Sequence, residues 1–268
     1  MGLRSVLSNL RRPLSLVGKS LYFHGILSTK DMPLPDFLGI GAPQSGTTWL
    51  HENLCHHPDL FIPHPKEINF FYKNFRTSLR AYSNRFRPGA EKVKGEITPA
   101  YGALLPLDRI RFIRRIMPDV RTIFVMRNPV ERTWSTARRV VAREMGGNLQ
   151  DADESRFFAY LDHPRVRKHS DYLTIFDNWT TVFPPDRLHV AVFDDIADRP
   201  RELLSGVFAH LGVSQDVDWD SFPYNTVFNR NLEYSMPENF RAYLEDRYRQ
   251  DIDELHKRFG QRIDRWRC

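Results

Sequence analysis

The chain is poor in cysteine, in long apolar runs and in low-complexity stretches, and each lack removes a class of protein. Its 268 residues include two cysteines, Cys55 and Cys268, too few to staple a fold of this size, so a disulfide scaffold is excluded. No window approaches the ~18 consecutive apolar residues of a membrane span. Near the N-terminus Arg11 and Arg12 precede Leu14-Ser15-Leu16-Val17 much as in a signal peptide, but Gly18 and Lys19 cut the apolar run short. The expectation is a cytoplasmic protein without a transmembrane segment. Glycine and proline, at 14 and 18 residues, stay near average usage, which excludes collagen-like and low-complexity chains.

Large apolar side chains are plentiful. Nineteen Phe, ten Tyr and five Trp can fill a sizeable core, so disorder is not the main state. The formal net charge of +6 suits a polyanionic ligand, although many soluble proteins share it. No His/Cys grouping has zinc spacing, and no serine triad is visible. His56 and His57 read as helix-face residues and Cys55 as core. The basic runs Arg138-Arg139 and Arg111…Arg114-Arg115 fall on helical patterns, where a solvated face is the default, and no nucleic-acid partner is expected.

Residues 1–35 read as an N-terminal helical extension. Leu3, Val6, Leu7 and Leu10 recur at helical spacing with Arg4, Arg11 and Arg12 on or near the other face. Such a helix either packs on the main domain or makes peripheral contact with a membrane or a partner. Residues 36–268 read as one domain in which strands alternate with helices. Strands are expected at Phe37–Gly41, Val93–Ile97, Thr122–Met126 and Leu188–Phe193. Helices are expected at Thr47–His57, Leu107–Met117, Val130–Arg143, Tyr172–Phe183, Arg201–Leu211 and Pro237–Phe259. That alternation predicts a three-layer α/β fold with a central parallel sheet, whose ligands sit beyond the carboxyl ends of the strands.

The stretch Phe37-Leu38-Gly39-Ile40-Gly41-Ala42-Pro43-Gln44-Ser45-Gly46-Thr47-Thr48-Trp49-Leu50 runs from a strand through a small-residue loop into a helix. Backbone N–H groups and a helix N-terminus are presented to a phosphate in this way. Gly41 and Gly46 have the spacing of a nucleotide-triphosphate loop and Thr48 falls at its hydroxyl position, but Thr47 stands where its lysine should be. ATP would lose its main cationic contact. A second anion site is suggested by Arg121-Thr122-Ile123-Phe124-Val125-Met126-Arg127-Asn128-Pro129, in which a strand ends in an Arg fork, with Ser135 two turns into the next helix. Alternatively, Arg127 and Arg132 pair with Glu131 or neighbouring acids.

Together these stretches resemble the sulfotransferases that use 3′-phosphoadenosine 5′-phosphosulfate (PAPS). Residues 43–49 resemble that family's P-K-S-G-T-T-W signature, and Arg127–Ser135 its R-[ND]-P-x-x-R…S pattern. The resemblance implies that Gln44, Ser45, Gly46, Thr47 and Thr48 hold the 5′-phosphosulfate, and that Trp49 stacks on adenine. It also implies that Arg127 and Ser135 hold the 3′-phosphate, with Arg230 of Asn229-Arg230-Asn231 closing over it. Gln44 replaces the family's loop lysine and supplies no charge to the leaving phosphate, so Lys66 or Arg127 must cover that position or catalysis suffers.

Pro65-Lys66-Glu67-Ile68-Asn69-Phe70-Phe71 is similar to the K-E-x-x-F-F stretch of heparan sulfate sulfotransferases and their bacterial relatives. That likeness implies Glu67 as the base that deprotonates the acceptor hydroxyl, provided that burial raises its pKa. Gly95-Glu96-Ile97-Thr98-Pro99-Ala100-Tyr101 resembles a further stretch in which those enzymes carry lysine at Ile97, and its loss weakens a heparan-like acceptor. Glu96, Thr98 and Tyr101 either shape that end of the pocket or simply pack. The implied partners are PAPS, with its by-product PAP (adenosine 3′,5′-bisphosphate), and a hydroxyl-bearing metabolite, sugar or lipid. No metal is expected, and a homo-oligomer is left open. Gln44 and Ile97 keep open a non-catalytic nucleotide-binding protein, and the phosphate loop keeps open a small-molecule kinase.

Overall fold

The apolar runs Phe37–Gly41 and Arg121–Met126 are buried along nearly their whole length, as the middle strands of a parallel sheet between helical layers must be. The computed structural model describes residues 16–144, 153–228 and 235–267. The strands are β1 (Phe37–Gly41), β2 (Leu60–Phe61), β3 (Val93–Ile97), β4 (Arg121–Met126) and β5 (Leu188–Val192). They form one sheet of order β2-β3-β1-β4-β5, with every neighbouring pair parallel. The chain leaving β1 turns to one side toward β2, whereas the chain leaving β4 continues to the other side toward β5. The crevice between the carboxyl ends of β1 and β4 is therefore the switch point where such sheets bind ligands.

The principal helices are α1 (Thr47–Cys55), α2 (Leu107–Ile116), α3 (Pro129–Glu144), α4 (Tyr172–Val182), α5 (Pro200–Leu211) and α6 (Glu238–Phe259). Alternation along the strands splits the core into two layers. Phe37, Ile123 and Val125 face α1 and α5, packing with Leu50, Leu54, Leu204 and Phe208. Leu38, Ile40, Phe124 and Met126 face the other way, toward Ile113 of α2, Trp134 of α3, Phe176 of α4 and Leu244 of α6. Each helix and four of the strands fall within two residues of their sequence-based bounds. The two-residue strand β2 and the helices Glu154–Leu161 and Pro164–Lys168 lacked a readable period, being one or two turns long.

The N-terminal helical pattern over Leu3–Leu10 lies outside the described residues. Residues 16–23 are helical and sit against the domain, with Lys19 Nζ donating to the carbonyls of Phe75 and Thr77. Thr29 likewise donates to the Ile116 carbonyl at 3.3 Å. No helix among the described residues is long and apolar enough to cross a membrane.

Cys55, expected in the core, is exposed at the last turn of α1. The aromatic residues Tyr172, Trp179 and Phe183 are core, and Trp266 near the C-terminus is buried with its Nε1 donating to Asp194 at 2.9 Å.

Candidate active site

The loop after β1 folds back over the sheet because Gly46 takes φ 78°, a left-handed conformation that opens α1 directly into the loop. A Cβ at Gly46 would also lie 2.3 Å from Ile196 Cδ1 and 3.1 Å from the Phe193 ring. Gly46→Ala is therefore expected to cost about 2 kcal/mol, read as a lower midpoint in denaturant unfolding, since backbone strain and overpacking add. Gln44, two residues earlier, holds φ 63°, a left-handed conformation strained for a residue with a side chain.

The loop and α1 form the floor of a cleft of about 980 Å³. Gln44, Gly46, Thr47, Thr48 and Trp49 line it, together with Lys66, Glu67 and Arg127. Ser45, expected on the ligand, does not line the cleft: it is fully buried beneath the loop. Trp49 contributes one edge while its indole is only 4% exposed, pinned by Nε1 donating to the Tyr224 carbonyl at 2.8 Å.

Two cations converge on the loop from opposite sides. Lys66 Nζ reaches the first turn of α1, 3.0 Å from Thr48 Oγ1 and 3.4 Å from Thr47 Oγ1. Burial pushes its pKa down, offset in part by Glu67 and Glu52, and Arg139 pushes the same way as burial. Arg127 Nη1 donates to the Gln44 carbonyl at 3.0 Å while its guanidinium lies 4.5 Å from the Phe193 ring centroid. The Gln44 side chain accepts from Ser135 Oγ at 3.3 Å. Ser135, expected on the 3′-phosphate, is buried and does not line the cleft, because its hydroxyl is turned onto Gln44. Gln44, Arg127 and Ser135, distant in sequence, thus meet at the crevice between β1 and β4.

The alternative of a plain ion-pair cluster around Glu131 is overturned for Arg132. Its guanidinium is fully buried and donates to Ser170 Oγ at 2.7 Å and the Val166 carbonyl at 2.8 Å, with no carboxylate among its described partners. Glu131 instead faces Arg241 of α6 at 3.4 Å.

Arg138 and Arg139, read from the sequence as a solvated face, line the cleft, as does Arg143. Helical spacing shows which residues share a face, but not that a concavity lies opposite it. The segment Tyr224–Phe228 forms the facing wall and carried no sequence signal. Arg230 falls outside the described residues.

Glu67 lines the cleft but is exposed, so the burial expected to tune it is absent. Ile97, at the position where the similar enzymes carry lysine, is buried in the cluster that holds Phe37, Trp49 and Ile123. Glu96, Thr98 and Tyr101 do not shape the cleft, as was one of the two readings; they form a buried network beneath it. Burial raises the Glu96 pKa, opposed by hydroxyl donors from Thr98, Tyr82 and Tyr101.

Comparison with known proteins follows the same lines. Residues 102–218 match the model of the family described as the sulfotransferase family. The membrane-associated sulfotransferase kil1 of Dictyostelium discoideum is 20% identical over an alignment of 313 positions, covering 83% of this chain and 64% of that protein. The bifunctional heparan sulfate N-deacetylase/N-sulfotransferase 1 of Caenorhabditis elegans is 22% identical, covering 80% of this chain and 25% of that protein. The chain thus spans less than two thirds of the length of either relative. A sulfotransferase from Alicyclobacillus acidocaldarius shares the fold, with a TM-score of 0.68 at 22% identity over 87% of this chain and 98% of the other. The family-model match takes in the motif at residues 127–135 but not that at 43–49, and the chain is similar to the sulfotransferase family and shares a sulfotransferase fold.

Proposed function

We propose that the chain moves a sulfuryl group from PAPS to a hydroxyl of a small-molecule, carbohydrate or lipid acceptor. The observation that carries this reading is the convergence of Lys66 and Arg127 on the loop at the N-terminus of α1, 3.0 Å from Thr48 Oγ1 and from the Gln44 carbonyl respectively. A phosphate loop that lacks its own lysine thereby has a cation on each side. Lys66 and the amides of residues 44–48 face the 5′-phosphosulfate, and Arg127 faces the 3′-phosphate, the group that sets this donor apart from ATP, while buried Ser135 braces the Gln44 side chain from behind the cleft.

Transfer is an in-line displacement at sulfur. The acceptor oxygen forms a bond to sulfur as the bond from sulfur to the 5′-phosphate oxygen breaks, and its electron pair leaves on PAP. Lys66 takes up the negative charge that develops on that oxygen, the task of the lysine that Gln44 replaces. Glu67, in the same cleft, takes the acceptor proton. Since it is exposed in the free protein, the acceptor itself must cover it for the proton transfer to be shielded from water.

Calorimetric titration tests the donor. Adenosine 3′,5′-bisphosphate is expected to bind at least ~10-fold more tightly than ATP with Mg²⁺, a gap worth about 1.4 kcal/mol. Binding of ATP with Mg²⁺ alone would overturn the reading in favour of a kinase. Bisphosphate binding without PAPS turnover on any acceptor would leave a nucleotide-binding protein.

A further inference from the structure

Glu96 lies outside the cleft, yet it is wired to the loop that carries Lys66 and Glu67. Its side chain, in a residue 1% exposed, accepts three hydroxyl hydrogen bonds. Tyr82 Oη donates at 2.7 Å and Tyr101 Oη at 3.0 Å to one oxygen, and Thr98 Oγ1 donates at 2.7 Å to the other. Each hydroxyl therefore spends its single proton on Glu96 and turns its lone pairs outward.

Two of those outward-facing oxygens meet backbone amides of the loop. Asn69 N donates to Thr98 Oγ1 at 3.3 Å, and Phe71 N donates to Tyr101 Oη at 3.2 Å. Tyr82 differs from both. It makes an equivalent bond to Glu96, but its contacts with the loop are ring packing, stacked on Phe70 at 4.2 Å and edge-on to Phe71 at 5.3 Å.

The loop needs such anchors. Glu67 at φ 63° and Asn69 at φ 56° hold left-handed conformations that side-chain-bearing residues keep only where the surroundings over-determine them. Asn69 further ties its own turn by donating from Nδ2 to the Glu67 carbonyl at 2.8 Å. The strained stretch begins immediately after Lys66, whose ammonium must span to Thr48 on α1. Any drift at Asn69 or Phe71 swings the root of that side chain.

We propose that Glu96 is a positioning residue of the donor site: through Thr98 and Tyr101 it orients the loop so that Lys66 stays on the phosphate loop. The use of PAP as a probe rests on the sulfotransferase reading; the anchoring itself does not.

Tyr82→Phe, Tyr101→Phe and Thr98→Val each remove one hydroxyl bond to Glu96, but only the last two remove a loop anchor. Hydrogen exchange over residues 66–73 is expected to speed up at least ~10-fold in Tyr101→Phe and Thr98→Val, and less than ~3-fold in Tyr82→Phe. PAP affinity, read by calorimetry, is expected to fall ~3–10-fold in the same two variants. In a Lys66→Ala background that further loss should vanish, since the interaction they support is already gone. Equal loosening in all three variants would reduce Glu96 to a packing role and overturn the proposal. So would PAP losses that add to that of Lys66→Ala. If the loop loosens selectively but the unaltered protein binds no PAP, the donor assignment fails and the anchoring stands.

Discussion

Lys66→Ala is expected to lower conversion of PAPS to PAP about 10²–10³-fold, the range for removing one preorganised charge donor from a transition state. The side chain crosses from the loop after β2 to the first turn of α1, 18 residues away in sequence, where its Nζ meets Thr48. No other lysine lines the cleft among the described residues, and the position of the family's loop lysine holds Gln44, whose side chain faces Ser135. PAP affinity should fall only about tenfold, because adenine and 3′-phosphate contacts lie at the other end. A large loss in turnover with a small loss in product binding is the signature of a group that acts mainly in the transition state. The rate also carries a pH signature. Burial first, and then Arg139, hold the Lys66 pKa below that of an ordinary lysine, with Glu67 and Glu52 opposing. The alkaline limb of kcat/KM should accordingly fall below the usual lysine range, and disappear in Lys66→Ala. Near-normal turnover in the variant would remove Lys66 from the mechanism.

Arg127→Ala is expected to weaken PAP binding about 30–100-fold, equivalent to about 2–2.8 kcal/mol, as charge-assisted hydrogen bonds to a phosphate typically contribute. The guanidinium is pre-positioned by the Gln44 carbonyl at 3.0 Å and by the Phe193 ring, so little side-chain entropy is lost on binding. The diagnostic quantity is the preference for adenosine 3′,5′-bisphosphate over adenosine 5′-phosphate. That preference should be clear in the unaltered protein and nearly absent in the variant, because the two ligands differ only in the 3′-phosphate. Both titrations are calorimetric, with the thermal midpoint checked alongside. An unchanged preference would move the 3′-phosphate to another cleft-lining cation, such as Arg138 on α3. Loss of affinity for both nucleotides alike would instead mean that Arg127 acts through the loop that it braces.

The strand-loop-helix at residues 37–50 was legible because a phosphate loop is a local object: apolar strand, Gly-bearing turn and helix start lie within one short stretch of chain. The same holds for Arg127 at the end of β4 and for the helices with long amphipathic periods. Their cause is short-range, so their signal is too. Glu67 shows where local reading stops. Its type and its neighbours point to a base, but its exposure depends on how the loop after β2 lies across the cleft. Arg138 and Arg139 show the same thing in reverse, as a charged helix face becomes a cleft wall only once the Tyr224–Phe228 segment stands opposite.

By itself, then, the sequence determined the α/β element order, the strand-loop-helix at residues 37–50 and the place of Arg127 at the end of β4. Those properties follow from backbone preference and side-chain type within one or two turns of chain. Tertiary structure alone decided that Lys66, one of two candidate cations, reaches Thr48 at the first turn of α1. It also decided that Gln44 bridges to Ser135, 91 residues away, and that Glu96 is a buried acceptor beneath the loop. The physical reason is direction. A side chain at the end of a strand or in a strained loop can point several ways, and packing among distant elements selects one.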